Sequence, residues 1–180
     1  LGELLSGLPR MAVALSGGLD SRFLCHAALA SGCDVLALHA AGPHVPPDES
    51  TAARHWARER GLRLLDVAYA PLALPEVATN SRERCYACKR GLLAALRRAL
   101  AAAGEADRVL CDGGNADDLH AFRPGLRAVA EAGVRSPLAL AGLDKNAIRA
   151  LARATGLEHP DQAARPCLLT RLAYGMRPQA

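Results

Sequence analysis

Aromatic residues are scarce in this sequence: Phe, Trp and Tyr together make up 3% of its 180 residues. Surfaces that bind single-stranded nucleic acid stack the bases on exposed rings, so this scarcity argues against such a surface. Lysine is rare as well, and Lys89 and Lys145 are the only two in the chain. Hydrophobic residues still make up 51% of the sequence and charged residues 22%. We therefore expect a folded domain with a core of Ala, Leu and Val, and not a disordered tail.

The sequence also lacks a charged-then-apolar leader and any apolar run near the roughly 20 residues that a membrane-spanning helix needs. We therefore expect a cytoplasmic protein with no membrane contact. In that compartment the six cysteines are expected to be core thiols, metal ligands or reactive groups and not disulfides. The net charge of +4 is small and spread along the chain, which favours a small-molecule partner over nucleic acid.

Apolar runs of strand and helix length alternate along the chain. The strands are predicted at residues 11–15, 34–39, 63–67 and 108–112, and the helices at 19–30, 48–60, from the end of the CxxC loop to about 103, and 144–156. This order predicts an α/β fold in which a parallel sheet carries helices on both faces. Residues 1–157 would form this domain, and residues 158–180 an irregular C-terminal segment. Ligands bind such sheets at the carboxyl ends of the strands, where residues 16–21, 39–44 and 112–118 would meet.

The string SGGLDS at residues 16–21 joins the first predicted strand to a helix and is typical of a phosphate-binding loop. Gly17 and Gly18 let the backbone approach an anion, while free N–H groups and the helix dipole attract it. Ser16 and Ser21 add hydroxyl donors. Asp20 would repel a phosphate, so we expect it to hold a bridging Mg²⁺ or to orient the ligand. The lysine and the glycine spacing of a Walker loop are absent.

Four other residues are candidates for the same site, each with a structural alternative. Asp117 and Asp118 follow the fourth predicted strand and could bind Mg²⁺ or cap the next segment. Lys145 stands in the first turn of a helix, where the dipole disfavours a cation, so contact with phosphate and an ordinary surface charge both remain open. His39 ends the second predicted strand near the expected adenine position, where a core or rim histidine is the alternative.

Three of the cysteines are candidate metal ligands. Cys85 and Cys88 form a CxxC on a short predicted loop, and Cys167 lies in the C-terminal segment. Three thiolates could hold a 4Fe-4S cluster with one iron open to sulfide. A zinc site that recruits a histidine such as His120 and the absence of any metal are the alternatives. The other cysteines fall in predicted core positions and are expected to be buried: Cys25, Cys33 and Cys111.

The SGGLDS string resembles the SGGxDS motif of the PP-loop ATP pyrophosphatases, which bind ATP, release pyrophosphate and transfer AMP to a substrate oxygen. Further segments look like the LarE family of ATP-dependent sacrificial sulfur transferases, and the resemblance runs in order from about Met11 to Gly175. These segments are RCYACK at 84–89, DGGNADD at 112–118, RPG at 123–125, VRSPL at 134–138, GLDK at 142–145 and RPCLLTR at 165–171.

The resemblance implies a function in the synthesis of the nickel-pincer nucleotide cofactor. LarE enzymes adenylate a carboxylate of pyridinium-3,5-biscarboxylic acid mononucleotide and replace its oxygen with sulfur, using ATP and Mg²⁺. In one branch the cysteine matched by Cys167 gives up its sulfur and becomes dehydroalanine. In another, three cysteines hold a 4Fe-4S cluster, which Cys85, Cys88 and Cys167 resemble. Asp20 and Lys145 are the further catalytic candidates. The ATP-binding candidates are the SGGLDS residues with His39, Gly113 and Arg171.

Two departures from the family pattern stand out. Arg22 replaces a small residue after the phosphate loop and would either crowd the phosphates or reach them. The chain ends soon after Gly175, so we expect the usual C-terminal domain to be absent, which leaves open whether the protein forms a homo-oligomer. The alternative functions are another PP-loop activity such as tRNA thiolation, which needs a basic RNA-binding surface, and a non-catalytic ATP-binding module.

Overall fold

The structure is a computed structural model that describes residues 1–120 and 123–178. Its four parallel strands form one sheet in the order β3-β2-β1-β4. The strands are β1 (Arg10–Ala14), β2 (Asp34–Ala41), β3 (Arg63–Ala68) and β4 (Val109–Cys111). The α-helices among the described residues are α1 (Gly2–Ser6), α2 (Leu19–Ala30), α3 (Pro47–Glu59), α4 (Pro75–Ala78), α5 (Arg84–Ala102), α6 (Gly125–Glu131), α7 (Pro137–Leu140) and α8 (Lys145–Ala154). Short 3₁₀ turns cover Pro71–Ala73, Ala116–His120 and Leu168–Arg171.

Helices cover both faces of the sheet, so the side chains that alternate between the two faces along each strand are buried on both. Met11 and Val13 of β1 join one apolar cluster with residues of α2, α3 and α8. Ala12 of the same strand joins a second cluster with residues of α5. The predicted α/β fold, with a parallel sheet between helices, is therefore confirmed.

Most predicted elements agree with the structure, and two local predictions were wrong. Helix α2 has the predicted bounds, and the side chain of Asp144 caps α8 by accepting from the N–H of Ala147 (2.7 Å). Cys85 and Cys88 do not lie on a loop: α5 begins at Arg84 and includes both cysteines. Helix α3 begins one residue before the predicted start, since proline fits the first helical turn.

The strand order places the phosphate loop beside the segment that follows β4. From β1 the chain moves to β2 and β3 on one side, and it returns to the other side of β1 only with β4. Ligands of such sheets bind where the strand order reverses, which here is between the carboxyl ends of β1 and β4. Residues 16–21 and 112–118 therefore share one edge of the sheet. None of the helices in the described part of the chain has the length and apolar character to cross a membrane.

At the amino ends of the strands, an ion network surrounds Arg108, whose side chain is fully buried. Its guanidinium donates to Glu105 Oε2 and to Asp34 Oδ2, both at 2.6 Å. Arg10 and Arg63 also pair with Glu105. The hydrogen bonds from Arg108 and Arg63 lower the pKa of Glu105 from 4.5 to about 2, and the hydrogen bond from Arg108 is the main cause that lowers the pKa of Asp34.

This network predicts a specific loss of stability in acid. Because the folded protein holds Glu105 ionised, its contribution is fully present above pH 4.5 and is lost as the pH falls toward about 2. Urea unfolding of wild type and Glu105→Gln across that range should show a difference that narrows as the pH falls. A difference that does not change with pH would contradict the assignment.

Candidate functional site

The phosphate loop is a closed turn built on its two serines. The Ser21 hydroxyl donates to the carbonyl oxygen of Gly18 (3.0 Å) and accepts from the N–H of Ser16 (3.2 Å), and the two serine hydroxyls are 3.1 Å apart. Gly17 has a φ of +82°, which a residue with a Cβ rarely adopts. Gly18 caps α2 without a side chain, so the helix begins with unshielded N–H groups. This geometry suits an anion such as a phosphate.

Gly113 lets the segment after β4 pass directly against the phosphate loop. A Cβ at this position would stand 2.8 Å from the backbone nitrogen of Ser21 and 3.1 Å from the carbonyl carbon of Asp20. Both atoms belong to the first turn of α2, which is closed by the hydrogen bond from the N–H of Arg22 to the carbonyl oxygen of Gly18 (3.1 Å). The absence of a side chain at Gly113 is therefore what allows the two loops to form one cradle, and this residue lies where the sequence predicts.

Asp20 and Lys145 meet in the structure although 124 residues separate them in the sequence. Lys145 Nζ forms an ion pair with Asp20 Oδ1, and Asn115 Nδ2 donates to Asp20 Oδ2 (3.0 Å). The ion pair holds the lysine at the edge of the phosphate loop, where its charge can neutralise a bound phosphate. Both predicted catalytic residues therefore lie at the same edge as the loop.

The carboxylates of Asp117 and Asp118 accept hydrogen bonds from their own loop and from neighbouring segments. Asp117 Oδ2 accepts from the N–H of Lys145 (3.0 Å), while the buried Asp118 accepts from the N–H of Asn115 (3.1 Å) and pairs with Arg123 (3.0 Å). These contacts shape the turn over the site. Within the described residues no group of three or more Cys, His, Asp or Glu side chains is arranged to hold a metal ion, so the Mg²⁺ ligands stay a prediction.

Three other predicted residues lie in different surroundings. His39 is buried within β2, and its Nδ1–H donates to the carbonyl oxygen of Leu15 (2.9 Å), which ties the start of the phosphate loop to the strand. Arg171 is exposed on the C-terminal segment. The expectation that Arg22 reaches or crowds phosphates is wrong: its guanidinium turns away and donates to the carbonyl oxygen of Glu158 (3.0 Å) and to Gln162.

The cysteines divide as the sequence predicts. Cys25, Cys33 and Cys111 are buried in the core, and burial raises the pKa of both Cys25 and Cys111 to about 12. Cys85 and Cys88 are half-buried and share one face of α5, since they are three residues apart.

Cys167 is connected to this pair by a chain of contacts. Its thiol lies 3.7 Å from the carbonyl oxygen of His44, the His44 ring packs edge-on against Tyr69 with centroids 5.5 Å apart, and the Tyr69 hydroxyl donates to the carbonyl oxygen of Cys88 (2.6 Å). Burial is the main cause that raises the pKa of the Cys88 and Cys167 thiols, and neighbouring thiols add to it: Cys167 and Cys85 act on Cys88, and Cys85 acts on Cys167. The structure thus brings together three thiols that are soft donors suited to iron. They are not arranged as a metal-ligand set, so the cluster also stays a prediction.

The cysteine group and the phosphate loop lie along the same edge of the sheet. Lys89, next to Cys88, pairs with Asp112 Oδ2 (3.6 Å) at the end of β4. The Cys167 thiol donates weakly to the carbonyl oxygen of His44 (3.7 Å), which follows β2. The sequence marks His44 and Asp112 only as members of the segments 39–44 and 112–118, because their individual contacts depend on strand order.

The solved structures of two nucleotide synthetases share this fold. The NMN synthetase of Francisella tularensis superposes with a TM-score of 0.68 at 18% identity over 90% of this chain and 72% of that one. A glutamine-dependent NAD⁺ synthetase from Acinetobacter baumannii, in complex with ADP, gives a TM-score of 0.62 at 16% identity over 84% of this chain and 30% of that one. The architecture is that of the PP-loop adenine nucleotide alpha hydrolase-like proteins.

Proteins of similar sequence point to a narrower group than the fold does. An uncharacterized protein of Synechocystis sp. is 35% identical over 97% of this chain. The pyridinium-3,5-bisthiocarboxylic acid mononucleotide synthase of Lactiplantibacillus plantarum is 32% identical over 95% of it. The chain spans 65% and 62% of the length of these two relatives. No family model matches the chain. The predicted resemblance to the LarE family is confirmed: over nearly its whole length the chain is similar to the Lactiplantibacillus plantarum synthase.

Proposed function

We propose that this protein is an ATP-dependent sulfur transferase that acts on a carboxylate of pyridinium-3,5-biscarboxylic acid mononucleotide. The observation that carries the proposal is a set of contacts at the carboxyl ends of the strands, where the phosphate loop and the Asp20–Lys145 pair lie. Cys167 contacts the segment after β2, and Lys89, next to Cys88, pairs with Asp112 after β4. A nucleotide cradle alone fits many PP-loop activities, whereas the adjacent thiols favour sulfur chemistry. The name of the Lactiplantibacillus plantarum relative supports the same pathway.

The first step is activation of the substrate carboxylate. The N–H groups at the start of α2 and the Ser16 and Ser21 hydroxyls would bind the phosphates of ATP, and Lys145 would neutralise charge on them. A carboxylate oxygen attacks the α-phosphorus, pyrophosphate leaves and an acyl adenylate forms. Fixed N–H donors and a cation stabilise the charge that develops in such a transfer. Asp20, Asp117 and Asp118 are the residues that would hold Mg²⁺, which would supply positive charge against the phosphates. His39 and Arg171 remain proposed contacts to the nucleotide.

The second step replaces AMP with sulfur. The Cys167 thiolate attacks the acyl carbon, AMP leaves and a thioester forms. Removal of the α-proton of Cys167 then breaks its Cβ–Sγ bond, which leaves a thiocarboxylate on the substrate and dehydroalanine in the chain. The thiolate is the reactive form of a cysteine. Burial raises the pKa of Cys167, while backbone N–H groups and the nearby positive charge of Arg84 lower it.

An alternative sulfur source involves all three thiols. Cys85, Cys88 and Cys167 are the proposed ligands of a 4Fe-4S cluster, which would supply a sulfide on the iron that no cysteine binds. In that case Cys167 would remain a ligand after the reaction, and the protein would turn over repeatedly when sulfide is supplied to replace the sulfur transferred.

The proposal predicts substrate-dependent release of pyrophosphate. Purified protein with ATP and Mg²⁺ should release pyrophosphate when the pyridinium dicarboxylate mononucleotide is added, and mass spectrometry should detect the thiocarboxylate product. Unfractionated tRNA should not stimulate release. Stimulation by tRNA alone would favour RNA thiolation, and binding of ATP without pyrophosphate release in either mixture would favour a non-catalytic module.

A further inference from the structure

Asn80 holds the C-terminal segment against the start of α5. Its side-chain Nδ2 donates to the carbonyl oxygens of Ala173 (2.6 Å) and Met176 (2.8 Å). Its backbone carbonyl oxygen accepts from the N–H of Gly175 (3.0 Å). The residue is 1% exposed, so these contacts are shielded from water. One asparagine therefore satisfies three backbone groups of a single turn, 173–176.

Arg84 extends this attachment toward the CxxC. Its Nη1 donates to the carbonyl oxygen of Leu172 (3.0 Å) and to Asn80 Oδ1, and its guanidinium lies 4.4 Å from the ring centroid of Tyr174. Arg84 directly precedes Cys85 in α5. Asn80 and Arg84 therefore form one hydrogen-bonded unit, here called the Asn80–Arg84 clasp.

The clasp and a second contact hold the two ends of the 3₁₀ turn Leu168–Arg171, which directly follows Cys167. At the first residue of this turn, the N–H of Leu168 donates to the carbonyl oxygen of His44 (3.3 Å). Within the turn, the Thr170 hydroxyl donates to the carbonyl oxygen of Cys167 (2.6 Å). The Cys167 thiol itself makes only a weak contact, because sulfur is a poor donor. The position of this thiol therefore depends on backbone attachments at both ends of the turn that follows it.

We propose that Asn80 and Arg84 are positioning residues that hold the Cys167 thiol in place for sulfur transfer by fixing the backbone of residues 172–176. This inference rests on the proposed function. The two residues touch the backbone of the C-terminal segment and not the reacting atoms, so their loss should leave adenylation intact. A reacting group displaced by about 1 Å can lose about 100-fold in rate, so the sulfur step should be sensitive to the clasp.

The backbone at Asn80 offers a variant that separates contact from fold. Asn80 has a φ of +52°, in the left-handed region that glycine and asparagine tolerate best. Asn80→Gly therefore keeps the backbone conformation and removes only the carboxamide. Thr79→Gly is a matched control, because Thr79 directly precedes Asn80 and its side chain is exposed. Its hydroxyl donates to the carbonyl oxygen of Pro75 and, among the described residues, makes no hydrogen bond to the C-terminal segment.

The test compares labelling with catalysis. Asn80→Gly should increase the rate at which iodoacetamide labels Cys167 about tenfold, because the carboxamide loses its two hydrogen bonds to the C-terminal segment and the one it accepts from Arg84. Peptide mass spectrometry at one fixed pH measures this rate. It should reduce thiolated product and leave pyrophosphate release near that of wild type. Thr79→Gly should match wild type in all three measurements, and the melting temperature of each variant confirms folding.

Two results would overturn the clasp. One is a Cys167 labelling rate in Asn80→Gly equal to that of wild type, and the other is faster labelling with unchanged product formation. Labelling needs no substrate, so it tests the attachment separately from the reaction. Wild-type protein that forms no thiolated product would instead overturn the proposed function.

Discussion

A Cys167→Ala variant should form no thiolated product while it still releases pyrophosphate from ATP in the presence of the pyridinium substrate. The change removes the proposed nucleophile, or a proposed cluster ligand, and leaves the phosphate loop and the Asp20–Lys145 pair untouched. The acyl adenylate would then be lost to water, so pyrophosphate would accumulate without product. Quantifying both species in one reaction measures the two steps separately.

Cys33→Ala is the control for cysteine removal, because Cys33 lies in the core with its thiol near the carbonyl oxygen of Leu5. It should retain both pyrophosphate release and product. Thiolated product from Cys167→Ala would show that the sulfur comes from elsewhere. Iron and acid-labile sulfide in anaerobically purified wild type distinguish the two sources. A cluster predicts both, with repeated turnover when sulfide is added, whereas a sacrificed cysteine predicts neither and one turnover per chain.

Gly113→Ala should reduce ATP-dependent pyrophosphate release on the order of 100-fold, since displacement of a reacting group by about 1 Å has that effect. The new Cβ would stand 2.8 Å from the backbone nitrogen of Ser21, in a turn that cannot retreat without losing helical hydrogen bonds. The phosphate loop must therefore shift relative to the segment after β4. Overpacking of this kind also costs about 1–3 kcal/mol of folding stability.

Gly2→Ala is the matched control, because a Cβ at Gly2 meets no atom within 4 Å. It should release pyrophosphate at the wild-type rate. Isothermal titration with ATP would locate the defect of Gly113→Ala in nucleotide binding, and a melting curve would separate it from unfolding. Wild-type release from Gly113→Ala would show that the two loops do not form one cradle.

The sequence identifies the parts of the site that are local. The SGGLDS string carries the glycines and hydroxyls of the phosphate loop on consecutive residues, so the loop and the helix that follows it can be predicted with correct bounds. Core cysteines are recognisable because they fall at apolar positions of strands and helices. The CxxC is visible as a motif, yet its backbone was predicted as a loop, since no local signal marks the start of α5 at Arg84.

Contacts over long sequence distance belong to the tertiary structure. Lys145 reaches Asp20 only because the order β3-β2-β1-β4 brings α8 beside the phosphate loop. The same packing turns Arg22 toward Glu158 and not toward the phosphates.

The sequence by itself thus determined the chemical groups: a phosphate-binding turn, a lysine, an aspartate and three cysteines. The tertiary structure decided which of them meet, and it placed Asn80 where a single carboxamide secures the segment that carries Cys167. The physical reason is that residue type and local spacing set hydrogen-bonding capacity and charge, whereas distance between remote groups follows from strand order and helix packing.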